Sequence, residues 1–188
     1  MKSLKNLFIC FFMVALFVSC STVPGPEVIP TFEYTFESED CLDQFEVTRG
    51  ASIQGTEKWS EVQIDSTTSY EGRASLMLRV NRETTRFYFV GTYLPIDKTS
   101  YRYVCYVKGD GIRRDGSQFN NSYVGFFIRY LNGKKKFVVT HNNGTFNWRE
   151  ETGFIRISNS ADIDSIQFGV FLSKSGSMWV DNIKLYLD

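Results

Sequence analysis

Beyond residue 31, apolar and polar residues alternate along most of this chain with the period of two that a half-buried β-strand requires. Ala74–Val80 reads A-S-L-M-L-R-V, with Leu76, Leu78 and Val80 on one side. An aromatic run from Phe87 to Tyr93 follows, then Tyr101–Lys108 (Y-R-Y-V-C-Y-V-K). Tyr123–Leu131 ends at Asn132-Gly133, and Phe137–His141 ends at Asn142-Asn143-Gly144. Asn-Gly between such runs signals a hairpin, because both central turn positions favour φ > 0. Phe154–Ile157, Ser165–Leu172 and Met178–Leu187 complete the set. No window repeats apolar residues at i, i+3, i+4 and i+7 over the length of a helix. About eight or nine strands joined by short turns predict an all-β fold, an antiparallel β-sandwich of jelly-roll type. Residues 112–121 read as a polar insertion between strands, and Lys134-Lys135-Lys136 as a solvated turn at a hairpin mouth.

The pattern of the first 31 residues is different. Lys2 and Lys5 precede an unbroken apolar run of twelve, Leu7–Val18. A membrane-spanning helix needs roughly 20 residues, so the run reads as a signal peptide over residues 1–19. Its end, Leu16-Phe17-Val18-Ser19-Cys20, resembles a bacterial lipobox, with Leu one place early. The resemblance implies that Cys20 is acylated, with palmitate among its lipids, and becomes the mature N-terminus. An ordinary signal peptide that happens to contain a cysteine is the alternative. Ser21 after the cysteine is compatible with sorting to a bacterial outer membrane, so the expected location is the cell envelope. Residues 20–31 hold three of the four prolines and read as an extended tether. Residues 32–188 form the domain.

Cleavage would leave 19 basic against 21 acidic residues, a net charge of −2. Such a chain has no electrostatic reason to bind nucleic acid or an anionic membrane surface, so membrane contact is expected through the lipid alone. His141 is the only histidine, which excludes metal centres and acid–base sites built on histidine clusters. Cys41 and Cys105 are the cysteines of the domain. They read as two free thiols, with a disulfide open as the alternative in an oxidising compartment. A monomer is expected.

Three motifs occur in order along the domain. Thr35-Phe36-Glu37 with Leu42-Asp43-Gln44-Phe45 resembles the "F-E … L-D-x-W" opening of many carbohydrate-binding modules, with Phe45 in place of Trp. Ser69-Tyr70-Glu71-Gly72-Arg73-Ala74-Ser75-Leu76 resembles their "S-x-x-G-x-x-S-L" turn. Gly176 to Tyr186, with Val180-Asp181-Asn182-Ile183, resembles the "V-D-N-I-x-L" last strand of galactose-binding-like jelly rolls. Trp148 and Phe154–Ile157 fit the usual approach to that strand. The domain thus resembles carbohydrate-binding modules of families four, nine and twenty-two, and the turn Val107–Gly111 is similar to family eleven.

The resemblance implies a calcium ion stapling first strand to last, held by Glu37, Asp181 and a carbonyl of the turn around Gly72. Hydrogen bonds accepted by those carboxylates from backbone amides are the alternative. It also aligns Tyr103, Cys105 and Val107 with core positions, which by strand parity sends Val104, Tyr106 and Lys108 to the other face. The same parity argument places Val124, Phe126, Ile128, Ile166, Phe168, Val170 and Leu172 inward. Tyr106, Phe127, Arg129, Gln167 and Phe171 are then expected together on an outer concave face that binds a polysaccharide or oligosaccharide. Rings suit the apolar C–H faces of sugars, and fixed polar groups suit their rims. Trp148 and Trp59, read near loops, are further candidates. The same aromatics could instead form a small second core under a loop.

Catalysis is not expected. Glu150-Glu151 and Asp162/Asp164 read as loop pairs, and neighbouring strand residues point to opposite faces. No nucleophile elbow, metal-ligand spacing or phosphate loop is present. The expected function is a lipid-anchored, non-catalytic glycan-binding module. A structural or adhesive module that binds a protein partner is the alternative.

Overall fold

A computed structural model describes residues 28–50, 60–80, 87–113, 122–173 and 175–188. The signal peptide, Cys20 and most of the tether, Trp59, and most of the 112–121 insertion lie outside these residues. Eleven strands are described: β1 (Phe32–Tyr34), β2 (Glu46–Gly50), β3 (Ser60–Asp65), β4 (Ser75–Val80), β5 (Phe87–Leu94) and β6 (Ser100–Ile112), then β7 (Ser122–Tyr130), β8 (Lys135–Asn142), β9 (Gly144–Arg156), β10 (Ile163–Ser173) and β11 (Gly176–Leu187). A single 3₁₀ turn, Glu39–Gln44, links β1 to β2. All described pairings are antiparallel, in two sheets. One runs β3-β4-β11-β6-β9, with β1 also on β11; the other runs β2-β5-β10-β7-β8.

The alternation legible in the sequence becomes the core. Tyr101, Tyr103, Cys105 and Val107 point inward from β6, against Val124, Phe126 and Ile128 from β7 and Ile166, Phe168 and Val170 from β10. Tyr103, Phe126 and Phe168 meet at ring-centroid distances of 5.2–6.0 Å and tie the sheets together. The phenol of Tyr103 is a polar group deep in that core, within 3.0 Å of the Thr140 hydroxyl and donating to the Val124 carbonyl. Gly153 lies opposite Tyr103 in register, and a Cβ there would stand 2.3 Å from the ring. Cys41 and Cys105 are both free thiols.

Four features differ from the expectation. Strands β1 and β2 are too short to show a clear alternation, and β3, S-E-V-Q-I-D, alternates over only two apolar positions, Val62 and Ile64. The tether is already engaged at its end, because Thr31 donates its N–H to the Leu185 carbonyl at 2.7 Å. Strand β9 is 13 residues long and carries Trp148, Glu150 and Glu151, which the sequence reading had placed in loops. Asp164 lies in β10, again not in a loop.

Glu151 points inward at the open seam where the sheets' edge strands β8 and β9 meet, and is almost fully buried. Arg149 pairs with it at 3.1 Å, and Asn142 donates to it at 3.2 Å. Burial pushes its carboxyl above the usual range, outweighing those two partners. A group whose folded pKa is raised binds more protons folded than unfolded, so the fold gains relative stability as pH falls into that interval. Arg149→Ala removes the counter-charge. Its expected cost is about 2 kcal/mol near neutrality, below the ~3–5 of a fully buried pair because Arg149 reaches solvent. Denaturant melts should show that deficit shrinking as pH falls from neutrality toward the usual carboxylate range and Glu151 protonates; a deficit independent of pH would contradict the account.

Candidate functional site

The outer face of the five-stranded sheet is built in rows that the strand register fixes. Thr48, Phe89, Phe171, Tyr123 and His141 stand side by side across all five strands. The next row reads Glu46, Gly91, Gly169, Gly125 and Val139. The third reads Tyr93, Gln167, Phe127 and Phe137, and the fourth Ser165, Arg129 and Lys135. Three central strands therefore place glycine at the same level. The trough so formed is occupied by the Phe89 ring, which would lie 2.3–2.6 Å from a Cβ at Gly91 or Gly169. Alanine at either position would force that ring out.

Around the trough the rings lock one another. Tyr123 stacks on Phe171 at 4.5 Å and 11°, and Phe89 meets the edge of Phe127 at 4.7 Å. Phe137 packs edge-on against Phe127 at 5.4 Å. Burial pushes the Tyr123 phenol up to about 12, so it stays a neutral hydroxyl. Above these rings lies a hollow of about 340 Å³ lined from all five strands. Its polar lining consists of Thr48, Ser165, Arg129, Lys135 and, on the central strand between Tyr93 and Phe127, Gln167. Gln167 donates to Glu46 at 3.4 Å, and the Nε of Arg129 pairs with Asp164. Tyr93 and Phe137 remain 57% and 46% exposed, leaving two ring faces open beside the hollow.

Four of the expected residues, Phe127, Arg129, Gln167 and Phe171, share this face. Tyr106 does not, and the expectation that it joins them is corrected. It lies on β6 in the other sheet, where its ring stacks on Tyr70 at 3.5 Å and 8° and its hydroxyl donates to Glu150. Trp148 meets Tyr70 edge-on at 6.0 Å on that same opposite side. Parity was right for Tyr106, since it does point away from the core. Parity cannot say which sheet a strand joins. Both rings hold down the 66–73 loop over the outer face of the six-stranded sheet. Phe89, Tyr93, Tyr123 and Phe137 are the site residues that sequence reasoning missed. Tyr123 and Phe137 were phaseable from Phe127, one by its own strand and one by its hairpin partner. Phe87 to Leu94 could not be phased, because aromatics fall on both of its parities.

A second convergence involves the motif residues Glu37, Gly72 and Asp181. Asp181 accepts the N–H groups of Tyr70 and Glu71 on one oxygen and of Asn182 on the other, at 2.7–3.1 Å. Glu37 accepts the N–H of Arg73 at 2.9 and 3.2 Å. It stands where a Cβ on Gly72, at φ +70°, would collide with its Oε1 at 1.9 Å. Asn182 donates to Glu71 at 2.7 Å, while its own Oδ1 is buried and without a hydrogen-bond partner. Burial and the Glu37 charge raise the Asp181 pKa, against the three amides that lower it. Phe36 and Asn182, next to the two carboxylates, both have positive φ, 58° and 47°. Among the described residues no three His, Cys, Asp or Glu side chains gather as metal ligands. The carboxylates Glu37 and Asp181 thus accept backbone N–H groups, the alternative to an ion, and beside them the Asn182 amide oxygen is the one orphaned acceptor, of the donor type that hard cations take.

No protein-family model and no curated protein matches this chain. Solved structures do. The CBM22-1 xylan-binding domain of Paenibacillus barcinonensis Xyn10C superposes with a TM-score of 0.53 at 15% identity, over 83% of this chain and 92% of that one. The C-terminal family 22 module of Clostridium thermocellum Xyn10B gives 0.57 at 14% identity, covering 84% and 92%. TmCBM61, solved in complex with β-1,4-galactotriose, gives 0.52 at 12%, covering 82% and 95%. At these identities the likeness concerns architecture, and it agrees with the family twenty-two resemblance of the motifs. The described domain has the jelly-roll β-sandwich fold of carbohydrate-binding modules.

Proposed function

We propose that this chain is a non-catalytic glycan-binding module that takes its ligand on the outer face of the five-stranded sheet. The observation that carries the reading is the hollow itself: a floor of interlocked rings, two exposed ring faces, and a few polar groups, one of them, Gln167, set among the rings. That layout matches a pyranose, whose C–H faces are apolar and whose edge bristles with hydroxyls. The neighbours' xylan and galactotriose point to a polysaccharide or oligosaccharide. A glycosidase would need two carboxylates about 5–9.5 Å apart, and the residues lining the hollow include neither Asp nor Glu.

Two further parts of the reading rest on sequence and on the second convergence. A calcium ion would be held by Glu37, Asp181 and the oxygens of the 69–72 turn and Asn182. It would neutralise two carboxylates, of which Asp181 has its pKa raised by burial and, less, by the Glu37 charge, and its effect would be on stability. Signal cleavage before Cys20 and acylation there would place the domain on a lipid tether at the cell envelope.

Three outcomes are expected. On a glycan array followed by calorimetry, Phe127→Ala and Tyr93→Ala should each weaken binding about tenfold, the equivalent of about 1.4 kcal/mol. Tyr106→Ala should leave affinity unchanged; the reverse ranking would move the site to the other sheet. Chelator should lower the melting temperature by about 5–10 °C, from about 2.7 kcal/mol of linkage at a hundredfold excess of ion over Kd. Asp181→Asn should abolish that response, and a melting point indifferent to chelator removes the ion. Cys20→Ser should abolish labelling by radioactive palmitate in the bacterial host; continued labelling would refute the anchor.

A further inference from the structure

The fourth row of the binding face sets two cations directly opposite each other, Arg129 on β7 and Lys135 on β8. Both line the same end of the hollow. Like charges at facing positions of an antiparallel pair destabilise the sheet and need an anion to offset them. Only half of that offset is supplied internally. Asp164 pairs with Arg129 through Nε, while 56% of the Arg129 side chain stays exposed. Lys135 has no ion pair or hydrogen bond among the described residues. Glu46, on the opposite edge strand of the sheet, accepts from Gln167. This end of the hollow therefore carries a net positive charge, although the chain as a whole is balanced.

Sequence reading treated Lys134–Lys136 as a solvated turn, and the register gives one of the three another role. The cation row lies one side-chain repeat, about 6.6 Å, from the ring row of Tyr93, Phe127 and Phe137. A sugar seated on those rings would thus bring a ring substituent within reach of Lys135 and the guanidinium. We propose that the site prefers an acidic glycan, and that Lys135 with Arg129 binds the carboxylate of a uronic acid residue. The planar guanidinium fork suits a planar carboxylate, and the ammonium adds a point charge beside it. This inference rests on the glycan-binding reading of the face and deepens it.

The test uses the full chain with uronate polymers (polygalacturonate, alginate and hyaluronate), each native and with its carboxyls reduced to alcohols, and dextran sulfate as a separate arm. At least one native polymer should bind tenfold or more tightly than its reduced form, with the difference fading as salt rises. Lys135→Gln and Arg129→Gln should each cut that preference to threefold or less while melting as the parent does. Phe127→Ala should weaken native and reduced forms alike. Equal binding of both forms would overturn the acidic preference and leave a neutral-glycan site standing. Dextran sulfate binding as tightly as the best uronate would overturn the carboxylate assignment in favour of any polyanion. Binding of none of these, with none to neutral glycans on the array, would overturn both this inference and the reading beneath it.

Discussion

Strand β11 has two edges and three partners, and the rest of the structure depends on how it changes partner. Along one edge it pairs continuously with β6, apart from one irregularity between Asp181 and Lys184. On the other edge it pairs with β4 up to Val180 and with β1 from Ile183. Asp181 and Asn182 fall in the gap, where neither neighbour supplies ladder hydrogen bonds. The chain answers with side chains in place of backbone: Asp181 gathers three amides and Asn182 reaches Glu71. The bulge also rephases the strand. Met178 and Val180 face the core before it, and Ile183, Leu185 and Leu187 after it. Without the extra residue, half of β11 would present its apolar side to solvent.

That junction fixes the 66–73 loop, and the loop decides what each face can do. Held by Asp181 and Glu37, it lays Tyr70 on Tyr106, with Trp148 at its edge. Trp179, also facing outward, is buried there; its indole N–H donates to Asp65 at 2.7 Å, and Lys108 lies over its ring. Burial alone would raise the Asp65 pKa, but the donors on Thr67 and Trp179 bring it below the usual range. Part of the outer side of the six-stranded sheet, around Tyr106 and Trp179, is thereby covered by its own chain. The five-stranded sheet has no comparable cover among the described residues, so its rings keep their faces.

Much of this was legible in the sequence, and the limits have physical causes. Inward residues of β6, β7 and β10 follow from period two, because each strand is apolar on one face and mixed on the other. The junction was reached through the family resemblance of F-E, the glycine turn and V-D-N-I, which stand far apart in sequence and which the structure brings together. What alternation cannot encode is partnership. Tyr106 and Phe127 carry the same signature, an aromatic on the outward parity of a long strand, and differ only in which sheet their strands join. That choice is made by non-local pairing. Strand β5 fails for another reason, since a strand aromatic on both parities has no phase to read. Strand β9 was truncated because three of its inward positions, Arg149, Glu151 and Gly153, carry no apolar side chain, which erases the alternation along most of an edge strand.

The glycine row gives the aromatic face its particular character. Gly91, Gly169 and Gly125 occupy one level of three adjacent strands, and Gly125 has φ +150° with the Val138 carbonyl 2.3 Å from where a Cβ would sit. Glycine is costly in a strand, both in entropy and in lost side-chain packing. Three in register remove a whole row of side chains from the middle of the face. The space admits the Phe89 ring into the sheet surface, so that ring lies low and braces Phe127 instead of projecting. A rough apolar ridge becomes a floor, bounded by rows of rings on either side. Shape complementarity to a flat ligand is therefore set by side chains that are absent, and affinity by the rings their absence allows to settle. Composition alone would not reveal such a site, because the residues that shape it carry no functional group.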